Sequence, residues 1–349
     1  MAAMKRRHFL AGCTGALLSP LGRNSATQAA DTLVRPAALR EGDTVGLITP
    51  AAYVSDPDRL LRARRTVEYF GLRPKFGKNV GRRAGYLGGS TVERVADLHE
   101  MFEDQAVKAV WAIRGGVGST QLLDRIDYAL MRQHPKIFIG YSDITALHLA
   151  IQKRCGLITF HGPVVVSPFS EFTETHFRRA LFETKPLGSL SNPPAARRLR
   201  PQHPLRTVKP GRARGRLAGG NLSLICATMG TPFEIDTRGC LLLLEDVDEE
   251  PYSIDQMLTQ LRLAGKLDGV AGILFGECSN CRPRDYKPGF ESSFSVGEVI
   301  DQILGDLKVP ILSGLVFGHT DDQLTIPLGV TATLDADKGE LIVEEPAVS

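Results

Sequence analysis

Lys136-Ile137-Phe138-Ile139-Gly140-Tyr141-Ser142-Asp143-Ile144-Thr145 is the stretch on which the fold turns. The apolar run closing at Gly140 reads as a buried strand, and Asp143 to Lys153 reads as a helix. A strand that passes through a sharp turn directly into a helix is the repeating unit of a parallel sheet, because parallel neighbours need a crossover connection. The same alternation extends toward the N-terminus. Thr44 to Thr49 reads as a strand, Pro57 to Tyr69 as a helix and Leu72 to Phe76 as a short strand. Ser90 to Asp104 reads as a helix with Ser90 as its cap and Glu93 as the reciprocal partner. Val107 to Ile113 follows as a strand and Thr120 to Asp127 as a helix. The expectation is an α/β fold in which residues 31–170 form an N-terminal, Rossmann-like domain, its parallel sheet covered on both faces.

Outward in the other direction the pattern changes. Residues 171–210 read as a linker or crossing segment, since Ser189 to Pro210 holds Pro193, Pro194, Pro201, Pro204 and Pro210, several arginines and no acid. Beyond it, Arg212 to Leu217 alternates with period two, and Cys240-Leu241-Leu242-Leu243-Leu244 is a fully buried strand by composition. Apolar runs recur at Val270 to Phe275, Pro310 to Phe317 and Thr331 to Leu334. Residues 211–349 are therefore expected to form a smaller, β-rich α/β domain with a mixed sheet and one helix, Ser253 to Ala264.

The chain has 349 residues, 43% hydrophobic and 23% charged. That composition is ordinary for a globular protein and excludes disordered, collagenous and coiled-coil classes. No run of 18 or more apolar residues occurs, which excludes a channel or transporter built of membrane-spanning helices. The formal charge is +3, but residues 1–30 hold Lys5, Arg6, Arg7 and Arg23 and no acid. Subtracting those four cations from +3 leaves −1 on the remainder, which gives no electrostatic footprint for nucleic acid.

Residues 1–30 resemble a twin-arginine export signal: Arg6-Arg7 precedes Phe9-Leu10, a modest apolar region follows, and small residues run up to Ala30. A periplasmic location after signal removal is the expectation. Leu10-Ala11-Gly12-Cys13 also matches a lipoprotein box, although almost no apolar stretch precedes Cys13; a plain basic terminus is the other alternative. Five cysteines then remain, too few for a disulfide scaffold. Cys278-Ser279-Asn280-Cys281 is a single CxxC with no second pair at zinc spacing, so it reads as a surface disulfide or two idle thiols. No metal or cofactor is expected.

Three places carry possible chemistry. Arg114-Gly115-Gly116-Val117-Gly118-Ser119 follows a buried strand but lacks the third glycine of a dinucleotide motif and the lysine of a phosphate loop. It is either a nest of amide donors suited to an oxyanion or a tight turn that needs glycine. Ser142 sits at the turn into a helix, the placement of a nucleophile elbow, although Ile144 occupies the last position of Gly-x-Ser-x-Gly; a helix cap is the competing reading. Glu245 ends the strand of four leucines, and a buried carboxylate needs a partner. His319, in Phe317-Gly318-His319-Thr320, is available as that partner or as an ordinary loop histidine.

Taken together, Gly42-Asp43-Thr44-Val45, Arg114-Gly115-Gly116-Val117-Gly118, Gly140-Tyr141-Ser142-Asp143, Gly219-Gly220-Asn221-Leu222, Leu244-Glu245-Asp246-Val247 and Gly318-His319 resemble the LD-carboxypeptidase family of serine peptidases. That family includes muramoyl-tetrapeptide carboxypeptidases and microcin C immunity peptidases, and the resemblance runs from about Leu39 to Leu341. It implies Ser142 as nucleophile, His319 as general base, Glu245 as its orienting carboxylate, and an oxyanion hole from the backbone N–H groups of Gly115, Gly116 and Asp143. It also implies a murein tetrapeptide substrate losing its terminal D-alanine, and a homodimer. Arg114, for the free carboxylate of the substrate, and Asn221 are the candidate substrate contacts. Two alternatives remain: a peptidase of the immunity type, cleaving a peptidyl-nucleotide, and a non-catalytic periplasmic binding protein.

Overall fold

The structure, a computed structural model, describes residues 33–195, 199 and 201–349. The export segment, with Arg6, Arg7 and Cys13, lies outside the described residues. In chain order the first half runs β1 (Thr44–Ile48), α1 (Pro57–Tyr69), β2 (Arg73–Phe76), α2 (Thr91–Glu103), β3 (Val107–Ala112), α3 (Tyr128–Gln133), β4 (Ile137–Gly140), α4 (Thr145–Cys155), β5 (Thr159–His161) and α5 (Glu171–Phe182). The second half runs β6 (Gly188–Leu190), β7 (Arg206–Lys209), β8 (Arg212–Asn221), α6 (Leu222–Ala227), β9 (Cys240–Val247), α7 (Pro251–Leu263), β10 (Gly272–Ser279), α8 (Val296–Leu304), β11 (Ile311–Leu315), β12 (Ile326–Leu328), β13 (Thr331–Asp335) and β14 (Glu340–Val343).

Two sheets result. The first has the order β12-β5-β4-β3-β1-β2, with β1 to β5 parallel and β12 antiparallel on β5. The second has the order β6-β14-β13-β8-β9-β10-β11-β7; its centre, β8 to β11, is parallel and its flanks antiparallel. The central strands β4 and β9 are buried on both faces along almost their whole length, which is why they read as unbroken apolar runs, whereas β8 enters its sheet through an alternating, part-exposed half. In β3, Ala109 and Trp111 face one core while Val110 and Ala112 face another. In β9, Leu241 and Leu243 join the core of Trp111, and Leu242 and Leu244 pack with α7 and α8. One apolar core, with Ile139, Phe160, Leu243 and Phe317 in it, therefore spans both sheets.

Several elements depart from expectation for local reasons. Thr120 to Asp127 is not one helix: Ser119–Leu122 forms a single tight turn, and the Asp127 carboxylate instead caps α3 by accepting from the Leu130 amide at 3.0 Å. Residues 171–210, expected as a crossing segment, contain α5, capped by Ser170, and two strands that form the outer edges of the second sheet. Three helices, not one, cover that sheet's half of the chain. The helix α8 starts with a capping box between Ser295 and Glu298, and Asn221 caps α6. Cys278 and Cys281 form a disulfide, with Cα atoms 5.4 Å apart, so the choice between bridge and idle thiols falls to the bridge. Cys155, Cys226 and Cys240 are free.

Candidate active site

Three chain segments deliver one hydrogen-bonded line. Ser142 follows β4 at φ +64°, a left-handed conformation that a non-glycine residue adopts only when its surroundings impose it. Gly140, just before it, touches the next turn so closely that a Cβ would lie 2.9 Å from Ile144. The turn thus throws the Ser142 hydroxyl off the carboxyl end of the first sheet, where open α/β sheets place their ligands. The competing reading as a helix cap does not hold, because α4 begins at Thr145 with no side-chain cap.

Glu245 lies in β9, opposite Asn221 of β8, and is fully buried. Burial raises its carboxyl above the ordinary range, and the hydrogen bond from His319 pulls it back down. His319 follows β11 on a loop. Its Nδ1–H donates to Glu245 Oε2 at 2.8 Å, and its Nε2 accepts from the Ser142 hydroxyl at 3.1 Å. The imidazole is also held edge-on against Tyr141, ring centroids 4.8 Å apart. A hydroxyl, an imidazole and a buried carboxylate in this order can move a proton from Oγ to Nε2 while the carboxylate holds the ring and its charge.

The glycine turn packs on this line. A Cβ at Gly115 would stand 3.1 Å from Ser142 Cβ, so the main chain of Gly115 runs directly beside the hydroxyl. Gly116, at φ +114°, rests on Ala52. Asp143 joins the two turns: its Oδ2 accepts from the Ser119 amide at 2.8 Å, while the Ser119 hydroxyl donates to the Asp143 carbonyl. Sequence reading missed Arg94, which is buried on α2 and donates from Nη1 to the carbonyls of Gly118 and Pro50, both at 2.8 Å. An arginine four residues past a capping serine gives no signal that it props a loop.

The two candidate substrate contacts fare differently. Arg114 is half-buried beside the glycine turn, with one long contact, Nη1 to the Tyr53 carbonyl at 3.5 Å. Asn221 is buried and turned into the protein. Its Oδ1 accepts from the Leu224 amide and its Nδ2 donates to Asp246 Oδ1, so its polar atoms cap α6 and fix the neighbour of Glu245 rather than face the cleft. Among the described residues no group of three or more metal-ligating side chains comes together.

Comparison with known proteins agrees with this architecture. Residues 45–162 match the model of the LD-carboxypeptidase N-terminal domain and residues 214–334 that of the LD-carboxypeptidase C-terminal domain. A Bacillus subtilis (strain 168) protein named "Probable murein peptide carboxypeptidase" is 43% identical over 317 residues, 89% of this chain and 94% of that one. The crystal structure of muramoyltetrapeptide carboxypeptidase from Oxalobacter formigenes superposes with a TM-score of 0.72 at 29% identity, covering 87% of this chain and 99% of the other. The microcin C7 self-immunity protein MccF, in its apo state, gives 0.81 at 27% identity, covering 90% and 100%. The fold and these matches define an enzyme of the carboxypeptidase class. The chain belongs to the LD-carboxypeptidase family.

Proposed function

We propose that the chain is a serine LD-carboxypeptidase that removes the terminal D-alanine of murein tetrapeptides. The observation that carries this reading is the line from Ser142 Oγ through His319 to Glu245 Oε2, at 3.1 and 2.8 Å. Ser142 Oγ attacks the carbonyl carbon of the last peptide bond as His319 Nε2 takes its proton. The resulting oxyanion lies against the amides of Gly115, Gly116 and Asp143. His319 returns the proton to the departing amine of D-alanine, and a water, deprotonated by the same imidazole, releases the acyl group. Glu245 holds Nδ1–H and offsets the imidazolium charge. Arg114 is the cation for the free carboxylate that marks an exopeptidase substrate. The substrate class is supported by relatives named for murein peptides.

A second reading, cleavage of a peptidyl-nucleotide, is favoured by the similarity to the self-immunity protein. One experiment separates the readings. The purified protein is incubated with tetra-, tri- and pentapeptide muropeptides and, separately, with an aminoacyl-nucleotide, and the products are weighed by mass spectrometry. Tetrapeptide should lose one alanine and the tripeptide should stay intact. Intact tetrapeptide beside a cleaved aminoacyl-nucleotide would move the assignment to the second reading, and no cleavage of either would return the chain to a binding role.

The same proposal includes export through Arg6 and Arg7 to the periplasm, rather than lipid anchoring at Cys13, and assembly as a homodimer. Replacing both arginines by lysine should leave the protein in the cytoplasm with an uncleaved N-terminus; normal export of that variant would overturn it.

A further inference from the structure

His319 is not carried by a helix or strand. It sits on a loop between β11 and β12, so its position depends on what grips the loop's main chain. From β10, the hydroxyl of Ser279 donates to the His319 carbonyl. The partner strand β9 grips the same residue from the other end, through Glu245 on the ring. The two strands are parallel neighbours in register at this point, Cys278 opposite Asp246 and Ser279 opposite Val247. One strand therefore aims the imidazole and the other anchors the backbone behind it.

Ser279 is the last residue of β10, where the ladder to β9 ends, and the bridge closes around it on the loop side. Cys278 and Cys281 close a four-residue loop in which Ser279 is the second member. Asn280 inside the loop is held at φ +56°, and its Nδ2 donates to Asp248 Oδ1 at 2.7 Å. The Asp248 amide donates in turn to the Ser279 carbonyl at 3.0 Å. Cys278 and Cys281 are half-buried and line an open crevice of about 400 Å³ together with Glu277, Ser279 and Gly314, which gives a small thiol a route to the bridge. Accessible bridges of this kind are the reducible ones. Apart from the bond, the loop is closed by one backbone hydrogen bond, Cys281 N–H to the Cys278 carbonyl at 3.2 Å, and the exposed segment beyond it, from Arg282 to Phe294, is tied down only farther along, at Glu250 and Tyr252.

We propose that the Cys278–Cys281 disulfide is a redox-sensitive lock on His319, acting through the Ser279 hydroxyl. This rests on the reading of His319 as the base for Ser142. In the unlocking step a dithiol thiolate attacks one sulfur to give a mixed disulfide. The second thiol of the reductant then displaces the protein sulfur, so that two electrons and two protons end on Cys278 and Cys281 and the reductant leaves as its own disulfide. Ser279 is thereby a positioning residue, and its freedom is set by the redox state of its neighbours. In an oxidising compartment the lock is shut and the rate is high; in a reducing one the same folded protein works slowly.

The test uses the purified mature enzyme, dithiothreitol as reductant and D-alanine release as the readout. A gain of two titratable thiols should accompany a fall in kcat of about ten- to a hundred-fold, as for other small misplacements of catalytic groups, with KM within twofold and an unchanged circular dichroism spectrum. Reoxidation should restore the rate. Cys278→Ser should stay at the reduced rate whatever the reductant. Ser279→Ala should be slow and indifferent to dithiothreitol, whereas Ser279→Thr, which keeps the hydroxyl, should recover the rate and the redox response. Two new thiols with kcat unchanged, or a fully active Ser279→Ala, would overturn the lock. Ser142→Ala is assayed alongside. If it is dead while the wild type ignores reduction, the lock alone fails; if it remains active, the serine mechanism is what fails.

Discussion

Gly318 lies against Glu245 so tightly that a Cβ at that glycine would overlap the carboxylate. With φ at +86° as well, the residue before His319 is glycine for two reasons, one steric and one conformational. Gly318→Ala should push the loop off the carboxylate and lower kcat by at least ~10²-fold. Gly230, at φ +75° with open space around its Cβ direction, is the matched control. Gly230→Ala should lose about 1 kcal/mol of stability and keep its activity. Equal kinetics for the two variants would show that the contact with Glu245 does not matter.

The left-handed backbone at Ser142 makes a stability prediction. Alanine keeps the conformational cost there and glycine removes it. Ser142→Gly and Ser142→Ala should both be inactive, but the glycine variant should be about 1 kcal/mol more stable in urea unfolding. An alanine variant as stable as the glycine one would mean that the turn is not held under strain.

Glu245 should trade stability for activity. Its carboxyl is raised above the ordinary 4.5 by burial, so the folded state holds that proton more tightly than the unfolded chain. Ionising it thus costs stability at neutral and alkaline pH, and the cost vanishes as pH falls below the unfolded value. Glu245→Gln should fall at least ~10²-fold in kcat yet melt higher than wild type at pH 8, with the gap closing toward pH 4. Glu249→Gln should stay within a few-fold of wild-type activity. A crippled Glu249→Gln beside an active Glu245→Gln would reverse the assignment.

Acid should weaken the protein from its interior. His148 is fully buried on α4, with Nε2–H donating to the Gly140 carbonyl at 2.8 Å, and burial lowers it from 6.5 to about 4. His161, fully buried beside it, shifts the same way, chiefly by burial. Both stay neutral in the fold while the unfolded chain takes up protons. Their contribution is therefore intact above pH 6.5 and is lost as pH drops toward 4, on the order of 3 kcal/mol for His148 alone. His148→Gln should be less stable at pH 7 but show a flatter decline between pH 7 and 4; an equally steep decline would put the acid sensitivity elsewhere.

Much of this was legible in the sequence because it was written in local patterns. The run from Lys136 to Thr145 announces a strand, a turn and a helix. The leucines from Leu241 to Leu244 announce a strand buried on both faces, and Ser90 with Glu93 announces the start of α2. The capping box at Ser295 and Glu298 carries the same signal and marks α8, where the sequence reading had placed no helix. What local pattern could not carry was pairing at long range. The strand β12 is three residues long, contains Pro327, and exists only because β5 is there to receive it. Asn221 is a candidate substrate contact from the motif Gly219-Gly220-Asn221-Leu222, but the glycines there let β8 pass close to its neighbours, and the asparagine turns inward to cap α6. The partners of His319 likewise come from strands far apart in the chain, which no spacing rule connects.

The excursion of β12 has a temporal meaning. The loop bearing His319 leaves the second sheet at Leu315 and is caught by the first sheet at Ile326, so it is stretched between the two. Until Leu328 has cleared the ribosome, β5 has an open edge and the loop that carries the imidazole is anchored to the second sheet alone. Ser142 is made long before the groups that activate it, and a nascent chain carries its nucleophile unarmed through most of its synthesis.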